Sequence, residues 1–292
     1  MASGTERVVR ANDVDLCVGT FGDPAAPAIL LIGGLAASMD WWDDELCQRL
    51  ADGGRFVVRY DQRDTGRSVS YPAGAPQYTG ADLVADAVGL LDALGLGRAH
   101  VVGISAGGAM AQHIAVDHPE RVASLTLIAT SPGPAPDLPP VAERLRASRE
   151  TPAPSPDWSD RAAVIDYIVE GERQYAGLLP VDEARVRRLA GRVYDRTTDM
   201  AASQTNHWIL DDGGEPIRPR LAQIVAPTVV LHGTEDPLFP YGHGEALANE
   251  IPGARLVPLQ DVGHQMPPPE VWDVVVPAIL QHTSAGGHSP SS

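Results

Sequence analysis

The chain has 292 residues, 43% of them hydrophobic and 21% charged, the mixture of an ordinary globular protein long enough to bury a large core. Its formal net charge of −16 argues against nucleic acid and anionic lipid as partners, because both are bound by basic surfaces. The sequence has no apolar run long enough to span a bilayer, no signal-peptide apolar core, and only two cysteines, Cys17 and Cys47. It therefore reads as cytoplasmic, with free thiols and neither a disulfide framework nor a metal cluster.

Residues 6–20 alternate as two antiparallel strands turning at Ala11-Asn12-Asp13. Continuous apolar runs follow at 28–32, 56–61, 99–104, 124–129, 228–232 and 254–259. Runs of this kind predict strands buried on both faces of a parallel sheet. Between them, Asp82–Leu94 and Ala106–Asp117 carry helical stripes, so the fold class is α/β, a mostly parallel eight-stranded sheet flanked by helices. The rhythm breaks from 131 to 221, where proline-rich stretches precede helical patterns at 161–174, 181–196 and 198–210. This predicts a helical cap inserted into a core made of 1–130 and 222–282, with a disordered tail at 283–292. The arginine runs at 144–149 and 185–188 read as solvated faces of cap helices.

The segment Gly103-Ile104-Ser105-Ala106-Gly107-Gly108 places a Gly-x-Ser-x-Gly pattern after a predicted strand and before a predicted helix. A serine on such a sharp turn is presented at the strand end, with the positive end of the helix dipole behind it. A serine hydroxyl needs a base, and the base needs an orienting acid. Asp236, in His232-Gly233-Thr234-Glu235-Asp236-Pro237, and His264, after Gly263, both follow predicted strands and complete the order Ser, Asp, His. His207 and His232 compete as bases, and Glu235 and Asp261 as acids. The turn Gly33-Gly34-Leu35-Ala36 is the candidate oxyanion loop, with the amides of Leu35 and Ala106 as donors.

Together these elements resemble the α/β-hydrolase superfamily over about residues 6–282. Tyr60-Asp61-Gln62-Arg63-Asp64-Thr65-Gly66-Arg67-Ser68 is similar to that superfamily's Asp-x-Arg-Gly-x-Gly-x-Ser loop, with Asp64 in place of a glycine. Gly33 likewise stands where a histidine is common. These departures, with Leu50-Ala51-Asp52-Gly53-Gly54 and Arg98–Gly103, resemble the aclacinomycin methylesterase type of polyketide-tailoring esterase. The resemblance implies a cofactor-free serine hydrolase that cleaves a methyl ester on a bulky aromatic substrate. A serine at position 105 argues against the dehalogenases and epoxide hydrolases of this fold, which attack with aspartate. A haloperoxidase or perhydrolase, a lactonase and a cofactor-free oxygenase remain open on the same triad, and a non-catalytic binding scaffold is the reading from another class.

The expected substrate-binding residues are Gly34, Trp41, Trp42, Met110, Trp158, Tyr167, His207, Trp208 and Met266. One of Trp41 and Trp42 is expected to line the pocket while the other packs. The expected partner is a small-molecule ester; monomer and homodimer are not distinguished.

Overall fold

The structure is a computed structural model that describes residues 4–150 and 154–284. Its sheet opens with β1 (Thr5–Ala11) and β2 (Val14–Phe21), antiparallel to each other and joined by Asn12 and Asp13, both with positive φ. Asn and Asp tolerate this left-handed backbone better than other residues with a Cβ, and the tight hairpin requires it. The parallel strands are β3 (Ala28–Ile32), β4 (Phe56–Tyr60), β5 (Ala99–Ile104), β6 (Val122–Ile128), β7 (Thr228–Gly233) and β8 (Arg255–Leu259). They lie in the order β1-β2-β4-β3-β5-β6-β7-β8, with β2 antiparallel to β4.

The strands β3, β4, β5 and β7 are buried along their whole length, as their unbroken apolar runs require. The last strand differs from expectation. β8 is at the edge of the sheet, so Arg255 and Pro258 face solvent. Pro258 is tolerated there because an edge strand has one side with no ladder to donate to.

Helices cover both faces. α1 (Asp44–Asp52) and α9 (Trp272–Ser284) seal one side through Leu46, Leu50, Trp272, Val275 and Ile279. α2 (Gly80–Ala93), α3 (Ala106–Asp117) and α8 (Gly242–Glu250) seal the other through residues such as Leu83, Leu90, Leu91, Ile114 and Leu247. α2 starts with a reciprocal capping box between Thr79 and Asp82. α9 includes Thr283 and Ser284, and Thr283 is buried where its hydroxyl accepts from Arg55 Nε at 2.8 Å, so the expected tail does not begin at 283. Residues 285–292 of that expectation lie outside the described residues. Cys17 and Cys47 are buried free thiols.

Between β6 and β7 the chain leaves the sheet for α4 (Glu143–Glu150), α5 (Arg161–Tyr175), α6 (Glu183–Arg196) and the short α7 (Met200–Thr205), followed by a 3-10 turn at Asn206–Ile209. α4 falls between two proline-rich stretches and carries the arginine run at 144–149. The insert has its own apolar cluster around Val164, Ile168, Val169, Val186 and Ala190. Arginines of α6 tie it to the core: Arg185 to Asp43 at 3.0 Å, Arg192 to Asp40 at 3.0 Å, and Arg196 to Asp61 at 3.0 Å. Arg185 therefore does not belong to a solvated face, whereas Arg146 and Arg187 do, pairing with acids on the surface.

Candidate active site

Ser105 sits between β5 and α3 with φ 53° and ψ −121°, a conformation that a residue with a Cβ adopts only when its surroundings impose it. Its amide donates to Ile128 O at 3.0 Å and its carbonyl accepts from Thr130 Oγ1 at 2.7 Å. The flanking glycines are demanded by space. A Cβ on Gly103 would lie 2.2 Å from Gly107 O, and one on Gly107 would lie 2.4 Å from the carbonyls of Ile32 and Gly33.

Two further loops, after β7 and β8, bring the remaining groups to Ser105. His264 Nε2 is 2.9 Å from Ser105 Oγ, and its Nδ1 is 2.8 Å from Asp236 Oδ2. Asp236 is buried, and its Oδ1 accepts from the amides of Leu238 and Phe239 at 2.9 and 2.8 Å. With the carboxylate accepting, Nδ1 carries the ring proton, which leaves Nε2 free to take the hydroxyl proton of Ser105. The ring of Phe239 meets His264 edge-on, with centroids 5.2 Å apart, and Tyr175 flanks it at 5.9 Å.

None of the rivals is hydrogen-bonded to Ser105, although His232 Nε2 lies 3.7 Å from Asp236 Oδ2. His232 is buried with Nε2 directed at Phe239 O, 2.7 Å away. Burial pushes its pKa down, against the pull of Asp236. Glu235 is exposed, and Asp261 turns its carboxylate to Gln260 Nε2 at 3.1 Å.

Ser105 opens into a cavity of about 1100 Å³. Gly34, Leu35 and Ala106 border it at the serine, and a Cβ on Gly34 would lie only 3.4 Å from that of Ser105. The turn Gly33–Ala36 thus abuts the serine. Trp41, Tyr167, Trp208 and Met266 also line the cavity.

Four expected substrate contacts are corrected. Trp42 is fully buried in the core under α1, so of the tryptophan pair Trp41 lines and Trp42 packs. Met110 lies in the core between α3 and the sheet, because position 110 falls on the inward stripe of that helix. Trp158 packs edge-on against Tyr167 at 5.6 Å in the cluster of the insert. His207 is buried with both ring nitrogens bonded to backbone, Nδ1 to Ala36 N at 3.0 Å and Nε2 to Arg63 O at 2.8 Å. It is therefore neither a base nor a wall of the cavity.

Several lining residues were not anticipated, among them Phe239, Tyr175, Glu172 and Gln265. Phe239 had a readable signal, since the loop that carries Asp236 must return along the site. Tyr175 was visible only as one of the insert's aromatics and Glu172 had no signal, because which face of α5 looks inward depends on how the insert docks. Glu172 has no hydrogen-bond or ion-pair partner among the described residues, and burial among protein atoms pushes its carboxyl up to about 7, although the cavity leaves it partly accessible.

The loop after β4 is bound from all sides. Asp61 accepts from the amides of Met39 and Arg67 at 2.8 and 3.0 Å, and Arg63 clasps Asp86 with two bonds of 2.6 and 2.7 Å. Asp64, at φ 63°, accepts from Tyr78 Oη at 2.6 Å, Tyr71 N at 2.6 Å and Asn206 Nδ2 at 2.9 Å. The carboxylate in place of a glycine is therefore a hub joining this loop to the insert.

This sheet order, with a serine on the turn after β5 and helices inserted after β6, agrees with the family comparison: the profile of the alpha/beta hydrolase fold matches residues 27–267. The chain belongs to the α/β-hydrolase fold family. Among its relatives, rhodomycin D methylesterase DauP of Streptomyces sp. (strain C5) is 33% identical, with 96% of this chain and 98% of the relative aligned. Rhodomycin D methylesterase DnrP of Streptomyces peucetius is 32% identical with the same coverage. Among solved structures, the enol-lactonase from Burkholderia xenovorans LB400 superposes with a TM-score of 0.71 at 25% identity, over 95% of this chain and 100% of that one. Among the described residues of this α/β-hydrolase, no group of side chains has the makings of a metal site, and no helix is long and apolar enough to cross a membrane.

Proposed function

We propose that this α/β-hydrolase is a serine carboxylic-ester hydrolase acting on methyl esters of bulky aromatic acids. The observation that carries the reading is the relay from Ser105 through His264 to Asp236, with contacts of 2.9 and 2.8 Å, opening into a cavity of about 1100 Å³. His264 takes the proton of Ser105 as Oγ attacks the ester carbonyl. The amides of Leu35 and Ala106 hold the oxyanion that forms. His264 then gives its proton to the departing alkoxide, methanol leaves, and an acyl-enzyme remains. A water that His264 deprotonates attacks the acyl carbon, and the acid leaves as Ser105 recovers its proton. Asp236 keeps the imidazole in the required tautomer throughout and stabilises the imidazolium.

The segment 131–221 serves as a cap that closes the cavity over Ser105. The volume is slightly above the range of about 300–1,000 Å³ usual for drug-sized ligands, and the wall includes Trp41, Tyr167, Tyr175, Trp208 and Phe239. Both features suit a large flat acyl group, and the two methylesterase relatives support the same class. A lactone is a cyclic ester open to the same attack, and the likeness to an enol-lactonase supports that second reading.

The test is hydrolysis by wild type and Ser105→Ala of a panel containing short p-nitrophenyl esters, a lactone and methyl esters of bulky aromatic acids. Serine-dependent cleavage with the highest kcat/KM on the bulky methyl esters is the expected result. Preference for the lactone selects the second reading, and undiminished turnover by Ser105→Ala overturns both.

A further inference from the structure

We infer that His207, a residue of the cap, is a positioning residue that holds the oxyanion loop in its working shape. This rests on the reading of Ser105 as an ester-cleaving nucleophile and adds a part to that site.

The loop Gly33–Ala37 must aim the amide of Leu35 at the reacting carbonyl, and a backbone donor is only as well placed as the peptide planes on either side of it. Both neighbouring planes are pinned. Gln62 Nε2 donates to Gly33 O at 2.9 Å, which fixes the plane before Gly34. The amide of Ala36 donates to His207 Nδ1 at 3.0 Å, which fixes the plane after Leu35. Between them the amide of Leu35 is left to serve the cavity. Ala36 holds φ 58°, and a left-handed residue with a Cβ persists only where its surroundings impose it. The bond to His207 supplies that imposition.

The imidazole is itself specified by its neighbours. An amide can only donate and a carbonyl can only accept, so His207 must accept at Nδ1 from Ala36 and donate from Nε2 to Arg63 O, 2.8 Å away. That assigns one neutral tautomer. Burial pushes its pKa down, in keeping with a neutral ring. The residue before it is equally fixed: Asn206 donates to Asp64 Oδ2 and to Pro72 O, and accepts from the amide of Gly74 at 2.8 Å. The turn Asn206–Ile209 is thus fastened to the core at two points, and one of them is the oxyanion loop. The cap therefore contributes to the catalytic geometry as well as to the cavity wall.

The test compares wild type, His207→Ala, His207→Asn and Ser105→Ala on p-nitrophenyl acetate and on the best methyl ester, with phenylboronic acid as a probe whose adduct with serine carries an oxyanion. His207→Ala should lower kcat by about tenfold to a hundredfold, less than or equal to the loss of a whole donor, and leave KM within about twofold. Its inhibition by phenylboronic acid should weaken by a similar factor. His207→Asn, whose Oδ1 sits near the place of Nδ1, should recover most of both losses. If His207→Ala does not fold, His207→Leu fills the space without accepting a bond and is read in its place. Wild-type kcat in the variant that lacks the acceptor, unchanged boronate affinity, or no recovery with asparagine would each overturn the inference. Turnover by Ser105→Ala, or no labelling of wild type by a fluorophosphonate, would instead overturn the underlying reading of the site.

Discussion

The amide of His264 donates to the carbonyl of Tyr175 at 2.8 Å, so the last residue of α5 in the insert holds the loop that carries His264. The approach is close enough that a Cβ on Gly263 would lie 2.2 Å from that same carbonyl. Gly263→Ala should therefore part the loop from the cap and displace His264. A misplacement of about 1 Å costs roughly 10² in rate. The expected outcome is a loss of kcat of that order with the far-ultraviolet circular dichroism of the sheet intact, measured on the same preparation.

Asp236→Asn separates charge and tautomer from shape. The amide oxygen of asparagine can still accept from Leu238 and Phe239, so the loop should keep its form. Its NH₂ would face Nδ1 of His264 and force the ring proton to Nε2, where it blocks proton transfer from Ser105. A fall in kcat of about 10⁴ is expected, with a melting temperature close to wild type. A fall below tenfold would remove Asp236 from its assigned role.

Arg196 is the cation between three acids of the core, Asp40, Asp61 and Glu6. Burial raises the carboxyl pKa of Asp61 even with Arg196 beside it. Arg196→Met would leave Asp61 buried without a counter-charge, while Asp40 keeps Arg192 at 3.0 Å, at a cost of about 3–5 kcal/mol, or roughly 10 °C in Tm for a chain of this size. The sign with pH follows: with the cation gone the folded pKa of Asp61 rises further, so its proton is bound more tightly folded than unfolded. The stability deficit should be smallest in acid and grow as pH rises, as a series of thermal melts from pH 4.5 to 8 would show.

Glu172 gives a second pH dependence. Its folded pKa is pushed up to about 7 from the ordinary 4.5, so its contribution to stability is fully present below about pH 4.5 and is lost as pH rises through 7. Allowing for the solvent that enters the cavity, the effect is about 2 kcal/mol. Glu172→Gln should flatten the decline in Tm between pH 4.5 and 7.5 and exceed wild type in stability above pH 7. An identical slope in the two proteins would contradict the assignment.

Trp208 lines the cavity yet is 56% exposed, so it contributes little to packing. Trp208→Ala should leave Tm within about 2 °C, as surface changes usually do. Its expected effect is on recognition: KM for bulky aromatic methyl esters should rise about tenfold, the loss of one large aromatic contact. The change for p-nitrophenyl acetate should be much smaller, because a short acyl group does not reach the cap.

Most of the core was legible because the chain's local signals agree with its tertiary structure. A strand buried on both faces must be apolar along its whole length, so 28–32 and 99–104 match β3 and β5 residue for residue. The turn at Ser105 needs glycines where any Cβ would strike backbone, and that demand is written in the sequence as Gly103 and Gly107. β8 was misjudged because an apolar run does not reveal whether its strand has neighbours on one side or two.

The cap was legible only as a region. Its aromatics were visible, but their directions were not. Trp158 and His207 turned inward to pack and to hold backbone, while Tyr167 and Trp208 faced the cavity, and composition is the same in either case. By itself the sequence determined where the strands lie along the chain, the glycine-flanked turn at Ser105, and the positions of Asp236 and His264 after strand ends, because each is set by neighbours within a few residues. Only the tertiary structure decided which of Trp41 and Trp42 meets the cavity, which face of α5 offers Glu172, and that a histidine at 207 supports an amide at 36. Those outcomes depend on contacts between residues more than a hundred positions apart, where packing and hydrogen-bond satisfaction decide and local propensity is silent.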